Sequence, residues 1–349
     1  MPAYKDDKTK KWFASFYVKI QGKSKKIKKM GFTKKKEAEE YERNYLNSFV
    51  ENTEITFKNL YFSYMEDSKN RLRLHTIENK KNILKTKILP FFETYKIKDI
   101  SPLIIRKWQN EIINNGYSET YLKTINNQLV ALLNYAVKFY NLDKNPCLIA
   151  GSIGKKNAEE MHVWTIQEFK TFIALLEHKS FSYVGFTILF YTGIRIGELL
   201  ALTVGDIDFK NHKIRINKSY QRIAGKDIIT APKTPKSKRI IDCPEFVIDI
   251  IDEFIKKIYK PNSKTRLFEG TTKHRFEHDI KTYSEKAKLK RIRVHDLRHS
   301  HATFLLSKGV NIVSLSRRLG HEKVSTTLDI YSHALKEDND LIKKILNNL

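Results

Sequence analysis

The chain has 349 residues, 41% of them hydrophobic, which is enough for two or three buried cores and excludes global disorder. Lys and Arg number 65 against 39 Asp and Glu, a net charge of +26 that calls for a polyanion. No stretch reaches the roughly 18 to 20 apolar residues of a membrane span, and the opening MPAYKDDKTKKW does not read as a signal peptide. Nucleic acid is therefore the favoured partner, because each neutralised phosphate releases counterions, and an anionic membrane surface is the competing one. Cys147 and Cys243, far apart in a Lys-rich chain, read as buried thiols of a reducing cytosol, and no Cys/His cluster has zinc spacing.

The first ~50 residues read as a module of their own. In KWFASFYVKI, Trp12, Ala14, Phe16, Val18 and Ile20 alternate with Phe13, Ser15, Tyr17 and Lys19, which is the period of a strand. A turn at Gln21-Gly22 leads into a second, basic strand, KSKKIKKMGF. TKKKEAEEYERNYLNSF then predicts a helix with Thr33 as N-cap. With Ala3 to Lys5 as first strand, the product is a three-stranded sheet backed by one helix. Lys23, Lys25, Lys26, Lys28 and Lys29 crowd one strand and Lys19 the other; a solvated face competes with phosphate contact, and a sheet can lie in a DNA major groove.

Residues ~55 to 145 carry apolar side chains at three-four spacing and predict helices throughout. Ser101-Pro102 is a helix start, with Ser as cap and Pro in the first turn. NPCLIAGSIGKKNAEEMH breaks the pattern and reads as an interdomain linker. WTIQEF opens the last domain with a capping box, Thr165 to Glu168, and helices follow to about Ala201. From Ile207 to Pro244, alternation punctuated by turn residues predicts a three-stranded sheet with a hairpin. The chain is mainly helical from Phe246 onward.

Three motifs in this last domain combine into a chemical argument. YTGIRIGELLALTVGDID puts Arg195 one turn from Glu198, and VHDLRHSHATFLLSKG puts His295 and Arg298 on one helical face. LGHEKVSTTLDIYSH carries His321 on one short helix and Tyr331 on the next, with Ser325 to Thr327 as caps between them. Singly, each reads as a salt bridge, surface polarity or a packed aromatic. Together, two Arg and two His suit the charge that builds on a phosphodiester under attack. Close Arg and His would favour the phenolate of Tyr331 and make it a nucleophile.

TGIRIGELLAL, HDLRHSHAT and LGHEKVSTTLDIYSH, in that order and spacing, resemble the tyrosine recombinase family, specifically the integrases of temperate phages and of integrative and conjugative elements. The resemblance covers essentially the whole chain. It implies a multidomain fold: an arm-type DNA-binding module of sheet plus helix over residues 1–50, an all-α, SAM-like core-binding domain over 55–147, and a mainly α (α+β) catalytic domain with a small antiparallel sheet over 161–349. It implies that Arg195 and Arg298 bind the scissile phosphate, that His321 donates to it, that Tyr331 attacks to form a 3′-phosphotyrosine, and that His295 assists as proton acceptor. Glu198 would hold the fold around Arg195. A hairpin lysine of APKTPKSKRIID would be the general acid; Lys233 is the candidate, with Lys236 and Lys238 open.

The phosphotyrosine conserves the energy of the broken bond, so no cofactor is expected, and no G-x-x-x-x-G-K-[ST] loop is visible. The amphipathic end, with Leu341, Ile342, Ile345, Leu346 and Leu349, either packs on its own domain or docks on a neighbouring subunit. By the resemblance the enzyme works as a homotetramer on double-stranded attachment sites in the cytoplasm of a bacterial host, at its nucleoid. A DNA-bending protein and an excision factor are the implied partners. A chromosome-dimer-resolving recombinase and a type IB topoisomerase are the alternatives, and the basic N-terminal module argues against the first.

Overall fold

The computed structural model describes residues 3–7, 9–20, 23–155, 162–232 and 234–331, without the side chains at 18–20, 23–25, 44, 46–53 and 235. Two compact units form, residues 1–159 and 160–349. Among the described residues no helix is long and apolar enough to cross a membrane. The expected turn at Gln21-Gly22 and the amphipathic end beyond Tyr331 lie outside the described residues.

The first unit opens with an antiparallel sheet of β1 (Ala3–Lys5), β2 (Trp12–Ile20) and β3 (Lys23–Phe32), in that order. Alternation along β2 turns Ala14 and Phe16 inward against Ala38, Tyr41 and Tyr45 of α1 (Lys35–Thr53). Helix α1 starts later than Thr33: the Thr33 hydroxyl donates to the Glu37 carboxylate at 2.9 Å instead of capping a helix amide. On the other face of the sheet, Tyr4 stacks on Phe13, Lys28 sits 4.6 Å from the Phe13 ring centre, and Lys26 sits 5.8 Å from that of Tyr17.

Helices follow: α2 (Phe57–Lys69), α3 (Leu74–Ile83), α4 (Leu89–Phe92), α5 (Pro102–Ile113), α6 (Glu119–Phe139) and α7 (Pro146–Ala150). Ser101 caps α5 as expected, its hydroxyl accepting from the Ile104 amide at 3.3 Å. Between α3 and α4 the helix widens into a π-turn, Leu84–Ile88, just before Pro90, which has no N–H to give to Thr86. Phe57, Phe92, Trp108, Leu129 and Leu133 are buried in one core. The expected linker begins inside this core, since Cys147, Ala150 and Ile153 are buried in it. Gly154 also belongs here: at φ +74°, its site would put a Cβ 2.1 Å from the Glu119 carbonyl oxygen.

The second unit begins with α8 (Ile166–Ile173), where Thr165 and Glu168 form the expected capping box. Then come α9 (Phe181–Thr192) and α10 (Ile196–Leu199). The sheet region has the expected three strands and hairpin: β4 (Ile207–Asp208), β5 (Lys213–Ile216) and β8 (Arg239–Asp242) make one sheet, and β6 (Ser219–Ile223) and β7 (Lys226–Thr230) a separate hairpin between β5 and β8 in the chain. Ala224 and Gly225 both take positive φ, the conformation of a tight two-residue hairpin turn. Helices α11 (Glu245–Ile255), α12 (Lys273–Lys286), α13 (Asp296–Ser307), α14 (Ile312–Leu319) and α15 (Val324–Tyr331) complete the unit.

Helix α9 is the centre of this unit. Its faces are apolar all round, from Val184 through Phe190, and they are buried. Trp164 ties the unit's start to α13, its amide donating to the Ser300 hydroxyl at 2.9 Å and its indole to the Lys290 carbonyl at 2.8 Å. A Cβ on Gly185 would lie 2.3 Å from Phe276 Cε1 of α12, so no side chain fits between α9 and α12. Gly185→Ala should therefore destabilise the unit by about 1 to 3 kcal/mol in a thermal melt, through overpacking of a filled core.

Candidate active site

Arg195 is the last residue before α10, extended at φ −78° and ψ 149°, and so stands where a helix start turns a side chain outward. Its amide donates to Glu198 Oε2 at 3.0 Å and its guanidinium to Oε1 at 2.8 Å. Glu198 is 4% exposed and also receives Arg239 from β8, at 3.2 and 2.9 Å. Burial pushes the Glu198 pKa up, but the Arg239 hydrogen bonds and the charges of Arg239 and Arg195 outweigh it and bring it down to about 2. One carboxylate thus holds two guanidinium groups in place.

Arg298, on the first turn of α13, is 3% exposed. It donates to the Gly193 carbonyl at 2.8 Å and to the Leu319 carbonyl at 2.7 Å. These are the C-terminal ends of α9 and α14, where helix dipoles favour a cation. Gly193 permits this: its φ is +66°, and a Cβ there would meet the His301 ring at 2.5 Å. Among the described residues no carboxylate forms an ion pair with Arg298, and burial, followed by the charge of Arg195, lowers its pKa to about 9. It stays a cation at neutral pH, buried and short of an anion.

The imidazoles gather around these arginines. His295 lies just before α13 with an edge open to solvent; loss of bulk water, then the charges of His299, Arg298 and Arg195, lower its pKa to about 4. His321 follows the left-handed Gly320 that ends α14, so it sits in a turn and not on a helix. Its Nδ1 pairs with the Thr327 hydroxyl at 2.8 Å, and burial and then Arg298, Arg195 and Arg239 lower its pKa to about 4. Because α15 already starts at Val324, Ser325 to Thr327 lie within its first turn.

Tyr331, at the end of α15, is 1% exposed, and its hydroxyl is 2.7 Å from His299 Nδ1. Burial pushes its pKa up to about 12, and the nearby charge of Arg298 only partly opposes the rise. The expectation that neighbouring cations favour the phenolate is thus reversed here, because desolvation outweighs them.

The structure therefore brings together Arg195, Glu198, His295, Arg298, His321 and Tyr331. Lys233 lies outside the described residues, as do the side chains of Lys19, Lys23 and Lys25. Lys236 Nζ donates to the Glu322 carbonyl at 3.0 Å, next to His321, and Lys238 is exposed. Lys26 and Lys28 are exposed on the sheet face of the first unit. Sequence reasoning missed Arg239 and His299. His299 was detectable as the residue four beyond His295, on the same face of α13. Arg239 gave no signal, since its partner Glu198 is 41 residues away.

Residues 164–338 match the phage integrase family, 56–113 the phage integrase N-terminal SAM-like domain, and 2–49 the Arm DNA-binding domain. Similar proteins include the ICEBs1 integrase of Bacillus subtilis, 28% identical with 86% of each chain covered. Another is the integrase of Staphylococcus phage L54a, 27% identical over 78% of this chain and 87% of that one. Of solved structures, the Tn1549 transposon integrase in complex with transposon right end DNA aligns with a TM-score of 0.68 at 23% identity, covering 83% of this chain and 98% of that one. A lambda integrase dimer bound to a COC′ core site aligns with a TM-score of 0.62 at 14% identity, covering 97% and 92%. At such identities the likeness speaks for the fold alone.

The lowered imidazole pKa values give a pH signature. A histidine held neutral in the fold but free to protonate when unfolded leaves stability intact above its ordinary value. Stability is then lost as pH falls from that value toward the folded one. His301 is 4% exposed with a pKa near 3, lowered by burial and then by Arg318. It alone should remove about 2 to 3 kcal/mol by pH ~4.5. The melting temperature should decline between about pH 6.5 and 4.5, above the range in which Glu198 titrates, and a flat profile there would contradict the buried cluster.

Proposed function

The chain belongs to the phage integrase family, and on that premise we propose how its residues carry out the reaction. It is a site-specific tyrosine recombinase, an enzyme that cuts and rejoins DNA for integration and excision. In our reading Arg195 and Arg298 grip the non-bridging oxygens of the scissile phosphate. His321 donates to the same phosphate through Nε2, since its Nδ1 is engaged by Thr327. Tyr331 attacks phosphorus and His295 assists proton transfer. Glu198, with Arg239 behind it, holds Arg195 in place. Lys233 protonates the leaving 5′-oxygen, with Lys236 and Lys238 as alternatives; Lys236 gains weight from its contact with the carbonyl beside His321. The scheme requires no nucleotide, because the phosphotyrosine retains the energy for resealing.

The observation that carries this reading is the buried Arg298, bound to two helix-end carbonyls with no carboxylate among the described residues paired to it. Such a guanidinium is completed by an anion with bidentate oxygens, and a phosphodiester supplies them.

We assign residues 1–50 to arm-type DNA binding, 55–147 to core-type DNA binding and 161–349 to catalysis. Integration is favoured over chromosome-dimer resolution by the match of residues 2–49 to an Arm DNA-binding domain. The working form we propose is a homotetramer on two duplexes in the host cytoplasm, aided by a DNA-bending protein and an excision factor.

Tyr331→Phe should lower covalent capture of a nicked attachment-site duplex by about 10³-fold or more while mobility-shift affinity is kept. An adduct that persists and maps elsewhere would remove Tyr331 from its role. Lys26→Ala with Lys28→Ala should weaken arm-site binding and make the slope of log K against log salt shallower by about 1 to 2. An unchanged slope would mean that these lysines do not meet phosphates.

A further inference from the structure

The hydroxyl of Tyr331 presents a problem of proton disposal. It is shielded from bulk water and its pKa stands near 12, so at neutral pH the free phenolate is scarce. The proton must leave during the attack, to a group already in reach. His299 Nδ1 is 2.7 Å from the oxygen, with the two ring centres 5.6 Å apart. His299 is held in turn by His295, one helical turn earlier, whose ring meets it edge to face at 5.1 Å.

We infer that His299 takes the proton from Tyr331 as the hydroxyl attacks the scissile phosphate, which makes His299 a further catalytic residue. The inference rests on Tyr331 being the nucleophile, as proposed above. In this step the Tyr331 oxygen forms a bond to phosphorus, and the bond from phosphorus to the 5′-oxygen breaks. The electron pair leaves on the 5′-oxygen, which takes a proton from the lysine ammonium. The phenolic proton ends on His299 Nδ1, so charge and protons balance, and resealing runs the transfers backward. The ring must begin neutral, with its own proton on Nε2. The groups around it support that state: burial first lowers its pKa, and Arg298 and Arg293 lower it further against the opposing charge of Asp296. Tyr331 faces it from α15, His295 from the start of α13, and His321 from the turn between α14 and α15. His295, behind His299, then assists the transfer at one remove.

The test is single-turnover phosphotyrosine formation by the full-length protein, followed against pH. The probe is a nicked duplex carrying the junction sequence from one end of the element that encodes the chain. His299→Gln, which retains a hydrogen-bond acceptor, should cut the rate by about 10² to 10³-fold with DNA binding unchanged. The low-pH limb of the wild-type profile should disappear in that variant. In His299→Ala, added imidazole should restore a measurable part of the rate. The inference is overturned if His299→Gln keeps the wild-type rate and pH limb, or if His295→Gln alone abolishes that limb. It is also overturned if the rate falls with an unaltered limb and no imidazole rescue, which would mean that His299 only supports packing. Mapping the wild-type adduct separates the two readings: an adduct off Tyr331 defeats the nucleophile assignment itself, whereas an adduct on Tyr331 with an indifferent His299 defeats only the present one.

Discussion

Arg298 commits its two terminal nitrogens to the carbonyls of Gly193 and Leu319, and in doing so joins three parts of the second unit. The end of α9, the start of α13 and the end of α14 converge on one guanidinium. A buried cation is costly unless its donors are satisfied and its charge is met. Carbonyls satisfy the donors, and the two helix C-termini meet part of the charge. The remainder is left for a ligand. The same constraint explains the local sequence: the left-handed Gly193 turns its carbonyl toward Arg298 and leaves room for the His301 ring.

Around this cation the charges are unequal by construction. Arg195 and Arg239 both pair with the buried carboxylate of Glu198, whose charge also reaches Arg298. Arg239 also reaches the Arg318 carbonyl, and Arg318 reaches His301 and the carbonyls of Asp242 and Tyr191. This network runs from β8 through α14 to α9. In the proposed mechanism the donors for the phosphate would thereby be fixed before it arrives, leaving little rearrangement for the moment of reaction. A buried carboxylate shared in this way is worth more as a brace than as a source of stability, because desolvation offsets much of its attraction to the arginines.

How much of this was legible in the sequence depended on distance along the chain. The alternation in β2, the Ser101-Pro102 start and the Thr165–Glu168 capping box are local signals, and each appears as read. The linker was misread because Pro146 and Gly151 look like breakers, although Pro146 opens a helix turn and Cys147 fills a core. The three strands and the hairpin of the second unit were legible too, but not their pairing, because alternation reveals strands and not partners; β8 reaches past a whole hairpin to join β5. Within the site, residue types and spacing pointed to Arg195, Arg298, His321 and Tyr331. They could not reveal that Tyr331 is desolvated, since burial is a property of the packed α13, α14 and α15.

Those same arginines set the protonation state of the imidazoles. His295 and His321 are held near 4 by lost water and then by positive neighbours, so both are neutral under ordinary conditions. A neutral imidazole can accept a proton at one nitrogen and donate at the other, whereas an imidazolium can only donate. An anion seated among Arg195, Arg239 and Arg298 would cancel part of the charge that keeps the rings neutral. Proton affinity at the rings would then rise as negative charge accumulates on phosphorus-bound oxygens. In the proposed step, acceptance of the tyrosine proton would become easiest when the attack calls for it. In the proposed reaction the guanidinium cluster would therefore act on both partners, directly on the phosphate and through the histidines on the nucleophile.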